Sequence, residues 1–268
     1  MYNKLKDHYD VGIYGWWGHD NFGGCLTYYA LNKSISKMGY SVVMLQEANG
    51  LPVRYNIPDD CIAMQFMRKN CDCTKQLNVL DLPSYNDLCD TFIVGGDQMW
   101  SFYINMVKED NFLNFVSNEK VKLSYSTSFG PNNFNPPRWF VDMAKPLLQR
   151  FDAVSVREDY AVALAKEIYD VNATQVIDAV FLLEKNDFIK AAEDSNYNFP
   201  ENFLFAFILN PTREKRRQVE RIAKKLGLDV VCAPDAAVGY HKSFYETFAG
   251  LKVIDPLNVS NFLKAYEK

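Results

Sequence analysis

No stretch of this chain could cross a bilayer: the longest apolar run, FLFAFIL, falls far short of the roughly 20 residues a spanning helix needs. The opening MYNKLKDHYDVGIYG has no apolar segment between a basic head and a small-residue cleavage site, so a cytoplasmic protein is expected. An excess of positive charge is also missing. With 29 Lys and Arg against 33 Asp and Glu, the net charge is -4, and nucleic acid is excluded as a partner because the phosphate-neutralising surface is not there. Histidine is scarce at three residues, and the six cysteines are irregularly spaced. Without an export signal that spacing reads as reduced thiols. Cys61, Cys71 and Cys73 lie close together, yet no second Cys-x-x-Cys follows, so no metal is expected.

What is present is an alternation of buried strands and amphipathic helices in a chain that is 48% hydrophobic. YDVGIYG reads as a first strand, and GGCLTYYALNKSISKMG carries Leu26, Tyr29, Ala30, Ile35 and Met38 at helical spacing before Gly39 closes the helix. SVVML (41–45) and TFIVGG (91–96) are further strands. They flank a less regular insertion over 50–89, which should pack on the sheet edge. KLSYSTSFG (122–130), DAVSV (152–156) and TQVID (174–178) are short β-rich runs, separated by helices near 138–150 and 157–168. This order predicts a doubly wound parallel sheet. The pattern pauses over 184–202 and resumes with NFLFAFIL, a helix over 213–227 with Val219, Ile222, Ala223 and Leu226 on one face, and LDVVCAP. A first lobe over 1–190 and a second over 200–268 follow, the second incomplete with only two clear strands.

Open parallel sheets bind ligands at the carboxyl ends of their strands, which directs attention to the segments just after each one. In WWGHDNFGGCLTYYAL, Gly23 and Gly24 let the backbone approach a ligand, and the helix that follows offers its amides to an anion. A plain strand-to-helix turn explains the glycines equally well. The segment has neither the Gly-x-Gly-x-x-Gly of a dinucleotide site nor the Lys-Ser/Thr of a P-loop. GGDQMWS presents Asp97, Gln98 and Trp100, a carboxylate and an amide for hydroxyls and an indole for a sugar face, although a core role for Trp100 is the stronger reading. SYSTSFG places Ser128 and neighbouring hydroxyls at a strand end, for a ligand or for capping. Arg157, read at a helix start, is badly placed for the helix dipole; it either grips a carboxylate or phosphate or pairs with Glu158 or Asp159. Asp178 in QVIDAVFLL is a lone carboxylate in an apolar run, functional or a cap.

In this order, NFGGCLTYYAL, FIVGGDQMWS, LSYSTSFG, AVSVRED and VIDAVFLL resemble the polysaccharide pyruvyl transferase family across essentially the whole chain. Gly96 stands where that family usually has serine in Gly-Ser-Asp-Gln, and Ala179 where it has proline. The family's Thr-Asp-Ser-Phe-His-Gly segment, with its candidate catalytic histidine, does not occur in the sequence. The resemblance implies an α/β protein of two Rossmann-like lobes with a cleft, similar to the GT-B arrangement. It implies transfer of the pyruvyl group of phosphoenolpyruvate to sugar hydroxyls as a ketal, during exopolysaccharide synthesis. Phosphoenolpyruvate and a sugar or oligosaccharide acceptor, free or lipid-linked, would be the ligands, and no cofactor is expected. Arg157 would clamp the donor's anionic groups with help from the amides near Gly23 and Gly24. Asn21, Asp97 and Gln98 would position the acceptor, with Thr27, Trp100, Ser128 and Asp178 around them. His19 and His241 are weak candidates for the acid that protonates the donor's methylene. A nucleotide-sugar glycosyltransferase, and a catalytically silent carbohydrate-binding fragment, are the competing readings.

Overall fold

A computed structural model describes residues 4–19, 21–48, 61–104, 107–235 and 241–268. Two compact units divide the chain: Met1–Gly18, Leu26–Pro58 and Met67–Leu183 form the first, and His19–Cys25, Asp59–Phe66 and Glu184–Lys268 the second.

In chain order the first part contains β1 (Tyr9–Gly15), α1 (Phe22–Lys37), β2 (Val42–Gln46), α2 (Ile62–Asn70) and β3 (Asp72–Cys73). Then come α3 (Tyr85–Leu88), β4 (Cys89–Gly95), β5 (Val121–Tyr125), α4 (Arg138–Leu148), β6 (Val154–Val156), α5 (Asp159–Tyr169) and β7 (Ala173–Gln175). The first five strands make one parallel sheet in the order β3-β2-β1-β4-β5. Its central register sets Ile13 beside Met44 on one side and Ile93 on the other. All of β2 is buried, and so is β1 except Asp10, as expected for strands covered on both faces. The β6–β7 pair is parallel as well and touches β5 through bridges from Leu123 to Ala153 and from Thr127 to Val156. The strand order reverses between β1 and β4, so the switch point where such sheets bind ligands lies between the ends of these two strands. β3 occupies the edge, where the insertion was expected, although part of that insertion (50–60) lies outside the described residues.

Two boundaries differ from the sequence reading in ways that matter. Helix α5 starts at Asp159, with Glu158 as its cap residue, so Arg157 sits at the end of β6 rather than in a helical turn. The dipole objection to an arginine there falls away, because no helical turn surrounds it. The strand expected over 174–178 covers only Ala173–Gln175, which frees Asp178 to cap a 3-10 turn over Ala179–Leu182.

The second unit holds α6 (Lys185–Ala191), β8 (Phe203–Ile208), α7 (Arg213–Leu226), β9 (Asp229–Pro234), α8 (His241–Thr247), β10 (Lys252–Val253) and α9 (Val259–Glu267). Its parallel sheet runs β10-β9-β8. The apparent pause contains α6, opened by reciprocal capping between Glu184 and Asp187. A third strand, β10, joins the two that were expected; with two residues it carries no periodicity to read. On α7, Ala223 is buried and Val219 packs on the core, while Ile222 and Leu226, assigned to the same apolar face, are exposed. One side chain organises the end of this unit. Asn261, fully buried, accepts from Ser195 Oγ (2.8 Å), Asn196 N (3.0 Å) and Tyr197 N (3.2 Å), and donates to Asn196 Oδ1 (3.0 Å) and Pro256 O (2.7 Å). No helix among the described residues is long and apolar enough to cross a membrane.

Candidate functional site

Arg157 leaves the end of β6 and meets three carboxylates. Nη2 donates to Asp97 Oδ1 at 2.5 Å, Nε to Glu158 Oε1 at 3.1 Å and Nη1 to Asp178 Oδ2 at 3.2 Å. Burial opposes its charge, but Asp97, Glu158 and Asp178 outweigh that and push the guanidinium above its ordinary range. Asp178 is held further by the Thr27 hydroxyl (3.2 Å) and the Val180 amide (3.0 Å). Thr27 lies on α1, Asp97 after β4, Arg157 after β6 and Asp178 after β7. Residues from four separate chain segments thus form one hydrogen-bonded network at the carboxyl ends of the strands, in the first unit. The carboxylates differ in access: Asp97 is 57% exposed, Glu158 20% and Asp178 17%. Of the two readings of Arg157, the local ion pair exists, with Glu158; the guanidinium lies at the strand ends, where open parallel sheets bind ligands. Asp178 likewise both caps a turn and joins the network.

The turn that carries Asp97 is shaped by its neighbours. Gly96 has φ +97° and Gln98 φ +54°, so the chain doubles back in left-handed geometry on either side of the carboxylate. Gln98 takes part through its backbone, its carbonyl accepting from Ser101 N at 3.1 Å; its side chain makes no hydrogen bond among the described residues. Beneath the turn lies a residue the motifs did not single out. The buried Tyr28 hydroxyl donates to the Gly95 carbonyl and accepts from Trp16 N at 3.2 Å, bridging the ends of β4 and β1 at the switch point. A Cβ on Gly96 would stand 2.6 Å from that oxygen, and one on Gly15 closer still. Burial drives the Tyr28 phenol far above its usual range, so it stays a donor. No sequence signal marks Tyr28 apart from its place beside Thr27.

Several expected site residues serve the fold instead. Trp100 is fully buried; its ring stacks on Phe112 and touches Phe129 and Phe151, and Nε1 donates to Asn111 O at 3.0 Å. No sugar face is presented. Ser128 is buried too, its hydroxyl accepting from Gly130 N at 3.0 Å and its carbonyl from Trp100 N at 3.1 Å, which is the capping alternative. In the second unit, Asn21 caps α1: its side chain accepts from Gly24 N at 3.0 Å and its carbonyl from Cys25 N at 2.9 Å. The Gly24 amide expected to receive an anion is therefore already bonded, by the oxygen of the exposed Asn21 side chain. Gly23 sits in that same first turn, where an added Cβ would lie 3.3 Å from the Asn21 oxygen. His19 belongs to this unit as well, and the side chain of His241 lies outside the described residues.

Solved structures share the fold at low identity. S. aureus MnaA, in a co-structure with UDP, is 14% identical, with 96% of this chain and 72% of that chain covered and a TM-score of 0.56. UDP-GlcNAc 2-epimerase from Neisseria meningitidis, bound to UDP-GlcNAc, is 11% identical, with 95% and 73% covered and a TM-score of 0.51. An α-glucosyltransferase in complex with UDP and DNA is 11% identical with a TM-score of 0.49; 85% of this chain is covered, and the chain spans 57% of that protein's length. No curated protein matches in sequence. The family model for polysaccharide pyruvyl transferase matches residues 13–254, and the chain belongs to that family.

Proposed function

We propose that this chain carries out pyruvyl transfer from phosphoenolpyruvate to hydroxyls of a sugar or oligosaccharide, forming a ketal for a cell-surface or exopolysaccharide in the cytoplasm. The observation that carries it is the convergence of Thr27, Asp97, Arg157 and Asp178, each from a motif typical of the matched family, into one network at the strand ends. Protonation of the donor's methylene makes its central carbon electrophilic. A sugar hydroxyl adds there, phosphate leaves with the bonding electrons, and a second hydroxyl closes the ring. Such a reaction needs a cation for the donor's carboxylate or phosphate and polar groups that orient the acceptor.

Arg157 fits the first requirement, since a guanidinium matches a carboxylate or phosphate edge on. Asp97 fits the second, being the most exposed of the three carboxylates on Arg157, with the partly exposed Gln98 next to it in sequence. Asp178 and Thr27 hold Arg157 in place. The test is phosphate release from phosphoenolpyruvate, with and without saccharide acceptors, on the full-length protein. Release that depends on the acceptor supports the reading; turnover of a nucleotide sugar with none from phosphoenolpyruvate sinks it.

A further inference from the structure

We propose that Asp97 is an exchangeable plug on Arg157: the donor's carboxylate or phosphate displaces it from the guanidinium, and the released carboxylate then takes the proton of the attacking acceptor hydroxyl. This rests on the pyruvyl transfer reading and assigns that site an order of events.

Every nitrogen of the Arg157 guanidinium already faces a carboxylate oxygen. A two-pronged grip on an incoming oxyanion needs two neighbouring N–H groups; three of the five are taken, and the pair that opens most readily is the one whose resident is held least. The residents are not equally held. Asp178 has two further hydrogen bonds and is mostly buried. Glu158 is adjacent in sequence and largely covered. Asp97 is more than half exposed, and Arg157 is its sole hydrogen-bond partner among the described residues. Returning an exposed carboxylate to water forfeits little, because exposed ion pairs are worth at most about 1 kcal/mol. Charge points the same way. Three carboxylates against one guanidinium repel an anionic donor, and moving the outermost one away lowers that repulsion.

Once free, Asp97 sits beside the donor as an ionised, accessible base. When the acceptor oxygen bonds the donor's central carbon, already made cationic by methylene protonation, the O–H bond breaks and its proton passes to the Asp97 carboxylate. Donor entry thereby prepares the base, and the acceptor is activated only with the donor in place.

The experiment is calorimetric titration of phosphoenolpyruvate into the wild type, Asp97→Asn and Asp97→Ser, alongside acceptor-dependent phosphate release. Either variant removes the competing charge, so donor binding tightens by about fivefold, the scale of the exposed ion pair that no longer has to be broken. At the same time kcat falls by about a hundredfold with the loss of the base. Unchanged or weaker donor binding in both variants overturns the proposal, since that is how a residue that merely props Arg157 in position behaves. A wild type that neither binds phosphoenolpyruvate nor releases phosphate instead removes the transferase reading, and the plug with it.

Discussion

The indole of Trp100 lies nearly parallel to the ring of Phe112, with centroids 5.8 Å apart and planes within 9°. A side chain so placed contributes packing, and its substitution should be felt as stability. Trp100→Ala is expected to cost about 3–5 kcal/mol, the range for emptying a buried aromatic site, measured as the shift in urea midpoint. Trp100→Phe, which retains most of the volume, should fold and keep the acceptor KM. A raised KM at unchanged stability would return the indole to the sugar site.

Arg157→Ala should weaken phosphoenolpyruvate binding by about 1.5–3 kcal/mol, the worth of a hydrogen bond to a charged group. Arg157→Lys keeps the charge without the planar fork and should fall between the two. Titration calorimetry decides it, and wild-type affinity in the alanine variant would take Arg157 out of the donor site.

In the second unit, Asn261→Ala strands three donors and two acceptors, which lie on partly buried or exposed residues around a buried side chain. A loss of about 1–3 kcal/mol is expected, because water can replace part of what the buried amide gave its partners. Asn261→Asp should fare no better. It retains an acceptor for Ser195, Asn196 N and Tyr197 but turns a carboxylate oxygen toward Asn196 Oδ1 and Pro256 O. Thermal denaturation of the two variants checks both statements; a melting temperature equal to wild type for Asn261→Asp would show that the two donated bonds contribute nothing.

Burial pushes the thiols of Cys71 and Cys89 up to about 12 and that of Cys232 up to about 11. Because the thiolate is the reactive form, these cysteines should resist iodoacetamide at pH 8 in the native protein and react only after unfolding. Cys61, half-buried where the other five are buried, should be alkylated first. Peptide mass spectrometry after a timed exposure reads the order, and early modification of Cys71 would contradict its burial.

Legibility followed physical range. Strands buried on both faces, such as β1 and β2, announce themselves as apolar runs, and α7, expected over 213–227, runs over Arg213–Leu226. β10 is too short to show a period, and α6 is charged enough to look like a linker. In the site, the motif order found Asp97, Arg157 and Asp178, because each follows a strand. It could not find that Asp178 serves Thr27, 151 residues away, or that Arg157 pairs with Asp97 and Asp178 besides the neighbouring Glu158, since such distant partners are chosen by the sheet and not by neighbours in the chain. Trp100 and Asn21 illustrate the opposite limit: an indole and an amide at a strand end look the same whether they face a ligand or the fold.

The Tyr28 hydroxyl, wedged between the ends of β1 and β4, makes positions 15, 28 and 96 a single allotment of space. Neither glycine can gain a side chain while the tyrosine stays, so the three must be exchanged as a set. Installing the family's more usual serine at position 96 alone should fail in this protein, on the Tyr28 oxygen and on the φ of +97° alike, and a shorter residue at position 28 removes only the first obstacle. A designer moving the Asp97 turn between family members would therefore need to move this helix residue together with it.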